Sequence, residues 1–376
     1  MKTLKIIIGL VIVLLLIVLV VGSRSPTSGT FKVGLISFIT GPSAVYGQIS
    51  SNAFKLAVDD INSAGGIKGK KLEVLVEDYG YDPKRIVPAY ESLISRGVNF
   101  FLIEGSGAAA TLAPLVKKDE SLSMVPTATS LPYKDGSPLT CRLALTADDY
   151  GPAIANLIAD KFPKSKVAFL MPNNEYGQGI MKKAVDKLTT FGFPVVDQES
   201  FDPSTGDVRT QVTKLKALGN GFDVLVLSNI LTSAEPMLRQ IRELGLNKQI
   251  ITDNWTSGNP ALSDLSLLDG SYFVDYVYKP EIQETDSTEA ASFKQKYLKN
   301  YGVYPPLYAA VSYDAMMVVA RGLNNTNNQT PSEVAQYLTH DLGEYAGVSG
   351  PFKLNSDCEV ERTSTVRQVI GGKIVD

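Results

Sequence analysis

From Phe31 onward, short apolar runs alternate with segments in which apolar residues recur at helical spacing. Phe54, Ala57 and Ile61 are three or four positions apart and share one helical face, and two glycines soon follow to end that helix. A regular alternation of strands and helices predicts a parallel sheet covered by helices on both faces. The strands of this first series are predicted at residues 32–37, 72–77, 100–103 and 124–125, with further helices at 86–96 and 108–119.

A second alternation begins near residue 167 and repeats the arrangement of the first, so the sequence predicts two similar lobes. The elements after residue 270 must complete one or both sheets, and the chain therefore crosses between the lobes more than once. A multiply crossed hinge favours closure around a molecule in the cleft. Strands are expected at 167–170, 195–196, 224–227, 250–252, 272–277, 352–354 and 366–370, and helices at 179–190, 207–218, 234–244, 290–300 and 309–323.

The N-terminus has the pattern of an export or anchoring segment. Residues 6–21 are an unbroken apolar run behind Lys2 and Lys5, which predicts that the body lies outside the cytoplasm. As a helix the run would reach about 24 Å, short of the roughly 30 Å hydrocarbon core but longer than most cleaved signal cores. Length therefore favours an uncleaved membrane anchor, although Gly22 and Ser23 would permit cleavage nearby.

Composition narrows the range of functions. The chain carries 36 Lys plus Arg against 39 Asp plus Glu, which gives no basic footprint for nucleic acid. With one histidine, His340, and two cysteines, a zinc site or a histidine-dependent nucleophile is disfavoured. We therefore expect a protein without a cofactor, and not an enzyme. Whether Cys141 and Cys358 form a disulfide is left open, with the unpaired state slightly favoured.

The segment EGSGAAAT, residues 104–111, follows a predicted strand and opens a predicted helix. It satisfies the G-x-G-x-x-A pattern of dinucleotide-binding proteins, yet it lies on the third strand and lacks an acidic residue at the end of the next one. Small residues at a helix N-terminus expose backbone N–H groups that bind an anion, including a carboxylate. The alternative is a tight turn that needs small residues for packing.

Polar and aromatic residues follow other strands at the edge where open α/β sheets bind ligands. Tyr46 follows the first strand, Thr127 and Thr129 follow the fourth, and Tyr176 holds the matching position in the second lobe, where it would face Tyr46 across the cleft. Asp253, at the end of the 250–252 strand, is a candidate counter-ion. The alternatives are a surface tyrosine capping its helix for Tyr46 and a helix cap for Asp253.

Several segments in this order together resemble the leucine/isoleucine/valine-binding protein family of periplasmic receptors for ABC importers. The resemblance spans residues 31–376 and implies a type I periplasmic-binding fold: two doubly wound parallel-sheet lobes joined by a three-segment hinge, behind the N-terminal hydrophobic helix. It implies lobe 1 at 31–143 and 275–363, and lobe 2 at 144–274 and 364–376. The matching segments are TGPSAVYG, DDINSAGGIKGKKLEV, SGAAATLA, VPTATS, NNEYGQG and MLRQIRELGL.

The same resemblance implies how a ligand is held. In such receptors lobe 1 binds the carboxylate through a serine and backbone amides, and the ammonium through a carbonyl and a threonine. Here Ala108 stands at the serine position, and Asp253 is the only acid near the position of the family's ammonium-binding glutamate. The site residues implied for this chain are Tyr46, Ser106, Gly107, Ala108, Ala109, Thr127, Ala128, Thr129, Tyr176, Asp253 and Tyr308.

These features predict capture of an amino acid, branched-chain-like, or a related small polar metabolite, followed by presentation to an ABC permease and its ATPase. The lost serine and the changed acid leave a neutral amide, a short peptide or an aromatic acid open. Two rival functions remain: a ligand-sensing receptor coupled to a membrane signalling partner, and a NAD-dependent oxidoreductase built on residues 105–110. Export from the cytoplasm, where NAD is kept, disfavours the second.

Overall fold

The structure is a computed structural model that describes residues 29–129, 138–229, 233–258 and 262–376. The expected anchor at residues 6–21 lies outside the described residues. Within those ranges, no helix combines the length and the apolar character that a membrane span needs.

The first sheet has five strands. All of them run parallel, which is the arrangement that the sequence predicts. Three helices connect its first four strands: α1 (Ala44–Ser63), α2 (Pro83–Ser95) and α3 (Ser106–Lys118). The strands are β1 (Thr30–Ser37), β2 (Lys71–Asp78), β3 (Phe100–Ile103), β4 (Leu122–Val125) and β5 (Thr140–Arg142), in the order β2-β1-β3-β4-β5. Their inner residues are fully buried, which places the core of this lobe along β1, β3 and β4.

The second sheet has seven strands, and five of them are parallel. Its strands are β6 (Val167–Pro172), β7 (Val195–Phe201), β8 (Val224–Leu227), β9 (Gln249–Thr252), β10 (Tyr272–Tyr276), β14 (Ser364–Ile370) and β15 (Lys373–Val375). The order is β15-β14-β10-β9-β8-β6-β7. Its helices are α4 (Ala147–Lys161), α5 (Glu175–Thr190), α6 (Arg209–Ala217), α7 (Ala234–Glu243) and the single turn α8 (Trp255–Gly258).

The last two strands of that sheet depart from the predicted parallel arrangement. β14 pairs antiparallel with β10, and β15 antiparallel with β14, because the chain enters this sheet for the last time from the opposite direction. The sequence also failed to predict β5 and α4. The α4 helix begins at a capping box in which Thr146 and Asp149 satisfy each other's backbone N–H groups, a signal that was present in the sequence.

The segment between β10 and β14 packs against the first lobe. Its helices are α9 (Thr288–Tyr301), α10 (Leu307–Asn325) and α11 (Pro331–Gln336), followed by a π-helical turn at Tyr337–Asp341. Helix α10 lies along α1, and Ser312 Oγ donates to Ser50 Oγ at 3.0 Å in their interface. A small antiparallel sheet follows, with β11 (Tyr345–Gly347), β12 (Gly350–Leu354) and β13 (Val360–Glu361).

Cys141 and Cys358 form a disulfide, so the slight preference for unpaired cysteines was wrong. The tertiary structure brings the end of β5 beside the turn before β13: the Arg142 N–H donates to the Cys358 carbonyl at 2.9 Å. The buried Arg142 side chain also donates to Glu359 at 2.6 Å. The bridge, the hydrogen bond and the ion pair together fasten the first sheet to the small antiparallel sheet.

Candidate functional site

A cavity of about 340 Å³ lies between the carboxyl ends of the strands of the two large sheets. Residues of the first lobe that follow β1, β2, β3 and β4 form one wall. Residues that follow β6 and β9 form the opposite wall, and residues from β10 and α10 close the side. This is the edge at which open α/β sheets bind ligands.

Aromatic side chains dominate the wall. Tyr46 and Tyr308 contact each other with ring centroids 4.9 Å apart and planes tilted by 56°. Burial raises the pKa of both phenols, so both stay neutral donors at physiological pH. Such rings offer large apolar contact area with a polar end that can bind a ligand. The aromatic residues of the wall are Phe38, Tyr46, Tyr79, Tyr81, Tyr176, Trp255, Tyr276 and Tyr308.

The N-terminus of α3 points its first-turn N–H groups at this cavity. Gly105 is the N-cap, with φ of 90°, and no side chain among the described residues caps the helix, while Ser106, Gly107 and Ala108 line the wall. A β-carbon at Gly105 would lie 2.8 Å from Tyr79 Oη, so both the backbone angle and the packing require glycine. The uncapped N–H groups and the helix dipole together favour a negatively charged ligand group.

Several buried polar atoms on the wall have no hydrogen-bond partner among the residues that the structure describes. They are the Tyr46 hydroxyl, Thr129 Oγ1 and Trp255 Nε1. Tyr46 and Trp255 are each only 2% exposed, and leaving such donors unpaired is unfavourable. These atoms therefore have the capacity to bind the polar groups of a ligand. The position of Thr129 is set from within the same lobe, because its N–H donates to Ser106 Oγ at 3.2 Å.

Asp253 lies behind Tyr176 and is 1% exposed. Its Oδ1 accepts from the Tyr176 hydroxyl at 2.6 Å, and its Oδ2 accepts from Ser228 Oγ at 2.7 Å. The backbone N–H of Trp255 also donates to Oδ1, at 3.3 Å. Burial raises the pKa of Asp253 to about 6, although these hydrogen bonds oppose that effect. Asp253 thus positions two aromatic residues of the wall.

Glu175 carries the only charge among the described residues of the wall. It is exposed at the first position of α5, and a β-carbon on Gly107 would lie 3.3 Å from its Oε2. The two lobes are therefore in close contact at this part of the rim. Larger residues than glycine at position 107 would press directly on the Glu175 carboxylate.

The structure brings most of the predicted site residues together. Eight of them line the cavity: Tyr46, Ser106, Gly107, Ala108, Thr127, Thr129, Tyr176 and Tyr308. The other three lie behind it. Ala109 and Ala128 are buried in the core of the first lobe, and Asp253 is separated from the cavity by Tyr176.

Sequence reasoning missed several wall residues, of which Tyr79 and Tyr81 are the clearest. Both directly follow β2, so the rule that ligands bind at strand ends could have found them. Tyr276 falls inside the strand predicted at residues 272–277, so the same rule does not select it. It lies at the end of β10, where the chain crosses between the sheets. Glu175 belongs to the NNEYGQG segment and was not predicted as a site residue.

The arrangement combines apolar faces, neutral donors and acceptors, and an anion-attracting helix terminus. Within the part of the chain that the structure describes, no group of three or more histidine, cysteine or acidic side chains could hold a metal ion. These are the properties of a site that binds a small molecule of mixed character.

Comparison with known proteins places these observations in a family. A family model described as periplasmic binding protein matches residues 30–373. The leucine-, isoleucine-, valine-, threonine- and alanine-binding protein of Pseudomonas aeruginosa is 25% identical over 322 residues, covering 84% of each chain. The Leu/Ile/Val-binding protein of Escherichia coli is 26% identical over 312 residues, covering 82% of each.

Solved structures share the fold. The branched-chain amino acid transporter substrate-binding protein LivJ from Streptococcus pneumoniae, in complex with isoleucine, superposes with a TM-score of 0.80 at 24% identity, covering 92% of this chain and 98% of that one. A solute-binding protein of an ABC transporter from Rhodopseudomonas palustris, in complex with 3,4-dihydroxybenzoic acid, gives 0.78 at 22%, covering 92% and 95%. The predicted type I periplasmic-binding fold is therefore confirmed, and the chain belongs to the periplasmic binding protein family.

Proposed function

We propose that this protein is the substrate-binding component of an ABC importer and captures an amino acid or a closely related carboxylate. The observation that carries the proposal is the uncapped N-terminus of α3, which faces a cavity walled by neutral aromatic donors. A carboxylate would accept hydrogen bonds from the amides of Gly107 and Ala108, and the apolar remainder would lie against Tyr46, Tyr176 and Tyr308. The relatives named above support this class of ligand.

Capture depends on movement of two lobes, which we place at residues 31–143 with 275–363 and at 144–274 with 364–376. Ligand bound to the first wall would gain further contacts when Tyr176 and Trp255 approach from the second. A ligand shifts an open–closed equilibrium only by its difference in affinity for the two forms, and a shift from 1:99 to 99:1 needs about 5.5 kcal/mol. Buried, unpartnered donors on both walls are a source of that difference.

The setting of the protein follows from its family. Periplasmic binding proteins work outside the cytoplasm, and the apolar run at residues 6–21 would export the body or hold it at the membrane surface. Its partners would then be a permease and an ATPase of the same importer. A sensing receptor would use the same cavity, and the two roles differ in whether the bound protein stimulates transport through such a permease.

An aromatic acid is a second candidate ligand. Eight aromatic side chains line the cavity, more than a small aliphatic side chain needs, and offset or edge contacts between rings add to the binding of a ligand ring. The Rhodopseudomonas relative in complex with 3,4-dihydroxybenzoic acid supports this candidate. Both candidates place a carboxylate at the same helix terminus.

Thermal-shift measurements on the full-length chain in detergent test the proposal. L-leucine, 4-methylpentanoate, benzoate and benzamide separate the contribution of the ammonium, the ring and the carboxylate, and a tight ligand raises the melting temperature by mass action. We expect at least one carboxylate to stabilise the protein, and Tyr46→Ala or Tyr176→Ala to abolish that effect. Tyr304→Ala is the matched control, because Tyr304 is 39% exposed and lies away from the cavity. If no carboxylate raises the melting temperature, the proposal is wrong.

A further inference from the structure

Glu104 is a buried carboxyl group directly beside the anion-attracting helix terminus. It follows β3 and precedes Gly105, the N-cap of α3, and it is 0% exposed. Ser37 Oγ donates to its Oε2, and Ser50 is a second hydrogen-bond partner of the carboxyl group. The Tyr79 hydroxyl donates to the Glu104 backbone carbonyl at 3.0 Å, which ties this residue to the cavity wall. None of the binding steps proposed above uses the Glu104 side chain.

The groups that face this carboxyl are neutral. Ser37 comes from β1, Ser50 from α1, Tyr79 from the segment after β2, and Tyr308 from α10. No cation among the described residues pairs with it. Burial accordingly raises the pKa of Glu104 to about 7, while hydrogen bonds from Ser37 and Ser50 oppose that effect. Tyr79 and Tyr308 both interact with Glu104 and both line the wall of the cavity.

The charge of Glu104 and the charge of a ligand carboxylate therefore oppose each other. The first-turn amides of α3 attract a carboxylate, and these amides begin one or two residues after Glu104. Two negative charges in the same partly desolvated region repel each other, and we expect this repulsion to change the affinity about tenfold. A protonated Glu104 removes this repulsion without altering the shape of the wall.

We propose that Glu104 is a specificity-determining residue, so that the cavity accepts a ligand carboxylate when Glu104 is protonated and disfavours it when Glu104 is ionised. Binding of a carboxylate then takes up a proton from solvent wherever Glu104 is ionised in the free protein, and the proton stays on the Glu104 side chain beneath the helix terminus. A neutral ligand group at the same place would bind without proton uptake. This inference rests on the proposed function, because it requires that a carboxylate occupies the α3 terminus.

Two other acidic groups near the cavity are part of the test. Asp253 lies behind Tyr176, and burial raises its pKa to about 6. Glu175 lies exposed at the rim. Both residues belong to the opposite lobe, so removing either carboxyl group should not change the pH dependence of binding as removal of the Glu104 carboxyl group does. The comparison of Glu104→Gln with Asp253→Asn assigns any pH dependence to one lobe. Glutamine has nearly the shape of protonated glutamic acid and cannot ionise, which makes it the matched substitution.

The experiment measures the dissociation constants of L-leucine, 4-methylpentanoate and benzoate by calorimetry between about pH 6 and pH 8, where their carboxylates remain ionised. For the wild type we expect the dissociation constant of the bound carboxylate to rise about tenfold across this range, because Glu104 loses its proton. For Glu104→Gln the dissociation constant should change less than about twofold over this pH range. For Asp253→Asn it should rise with pH as steeply as for the wild type. Benzamide, which carries no charge, should show no such slope in the wild type.

Each outcome decides between distinct conclusions. A carboxylate that binds with the same pH slope in Glu104→Gln overturns the inference and leaves the receptor function intact. If no carboxylate binds at any pH, the proposed function fails, and the role of Glu104 fails with it. Should Glu104→Gln not fold, proton uptake by the wild type still decides the matter. Titrations at pH 7 in two buffers of different ionisation enthalpy should then give an uptake of about half a proton, and no uptake contradicts the inference.

Discussion

At the scale of single residues, the buried carboxyl groups behave differently from the exposed ones. Asp253 and Glu104 are almost completely excluded from water and lie behind aromatic rings on opposite sides of the cavity. Exposed Asp207 and partly buried Glu235 instead pair with arginines, which lowers the pKa of each to about 2. Desolvation therefore dominates near the cavity, and pairing dominates at the surface.

Removal of the Asp253 carboxylate should weaken the folded protein as well as the site. Asp253→Ala removes the carboxylate that accepts from the buried Tyr176 and Ser228 hydroxyls and leaves these two only each other as partners, and we expect a loss of about 1–3 kcal/mol in the free energy of unfolding. Urea denaturation measures this loss. Because both oxygens of Asp253 are already engaged, any loss of ligand affinity should be reproduced by Tyr176→Phe. An unchanged unfolding free energy would contradict this account.

Glu104 should make the stability of the protein depend on pH. Its pKa is about 7 in the folded protein against an ordinary value of 4.5, so the unfolded chain releases this proton first as the pH rises. The Glu104 contribution to stability is thus full below about 4.5 and is lost by about 7, and the loss amounts to about 3 kcal/mol. Glu104→Gln lacks this loss. Denaturant unfolding of both proteins at several pH values should show their difference growing across this window; a constant difference would refute the prediction.

At the scale of elements, the start of α3 depends on one glycine. Gly105 combines φ of 90° with a position where a β-carbon would meet Tyr79 Oη at 2.8 Å. The next residues carry the N–H groups that face the cavity, so the path of the chain at Gly105 determines where a carboxylate could bind. The helix needs no side-chain cap there if a ligand supplies the acceptor.

Gly105→Ala should therefore reduce both stability and ligand binding. Gly97→Ala is a matched control, because Gly97 also has a positive φ, 78°, but a β-carbon there would meet nothing within 4 Å. Both variants bear the strain of the left-handed backbone, about 1 kcal/mol, and only Gly105→Ala adds a clash with Tyr79. We expect Gly105→Ala to unfold at clearly lower urea concentration than Gly97→Ala. Equal midpoints would show that Tyr79 moves aside without cost.

At the scale of the whole molecule, the disulfide joins parts of the chain that are 217 residues apart. It connects the last strand of the first sheet to the small C-terminal sheet, next to the buried Arg142–Glu359 pair. The region also lies where the chain passes between the two large sheets. A covalent connection here holds the base of the hinge together while leaving the rim of the cavity free.

Loss of that bridge should cost stability without removing the site. Replacement of both Cys141 and Cys358 by serine should lower the free energy of unfolding by about 2–5 kcal/mol, as for bridges that close long loops. The same loss should follow reduction of the wild type with dithiothreitol, which is the internal control. The double variant should still bind the ligand, and the ligand should still raise its lowered melting temperature. A variant as stable as the wild type would show that the noncovalent contacts alone suffice.

The sequence by itself determined the class of fold, most helices and strands, and the loops that meet at the cavity, because hydrophobic periodicity and strand-end position are local signals. Only the tertiary structure decided that Cys141 meets Cys358, that Tyr276 reaches the wall, and that Asp253 lies behind Tyr176. It likewise decided that Glu104 is buried without a cation. Such pairings join residues far apart in the chain, and they depend on packing and desolvation, which no local pattern encodes.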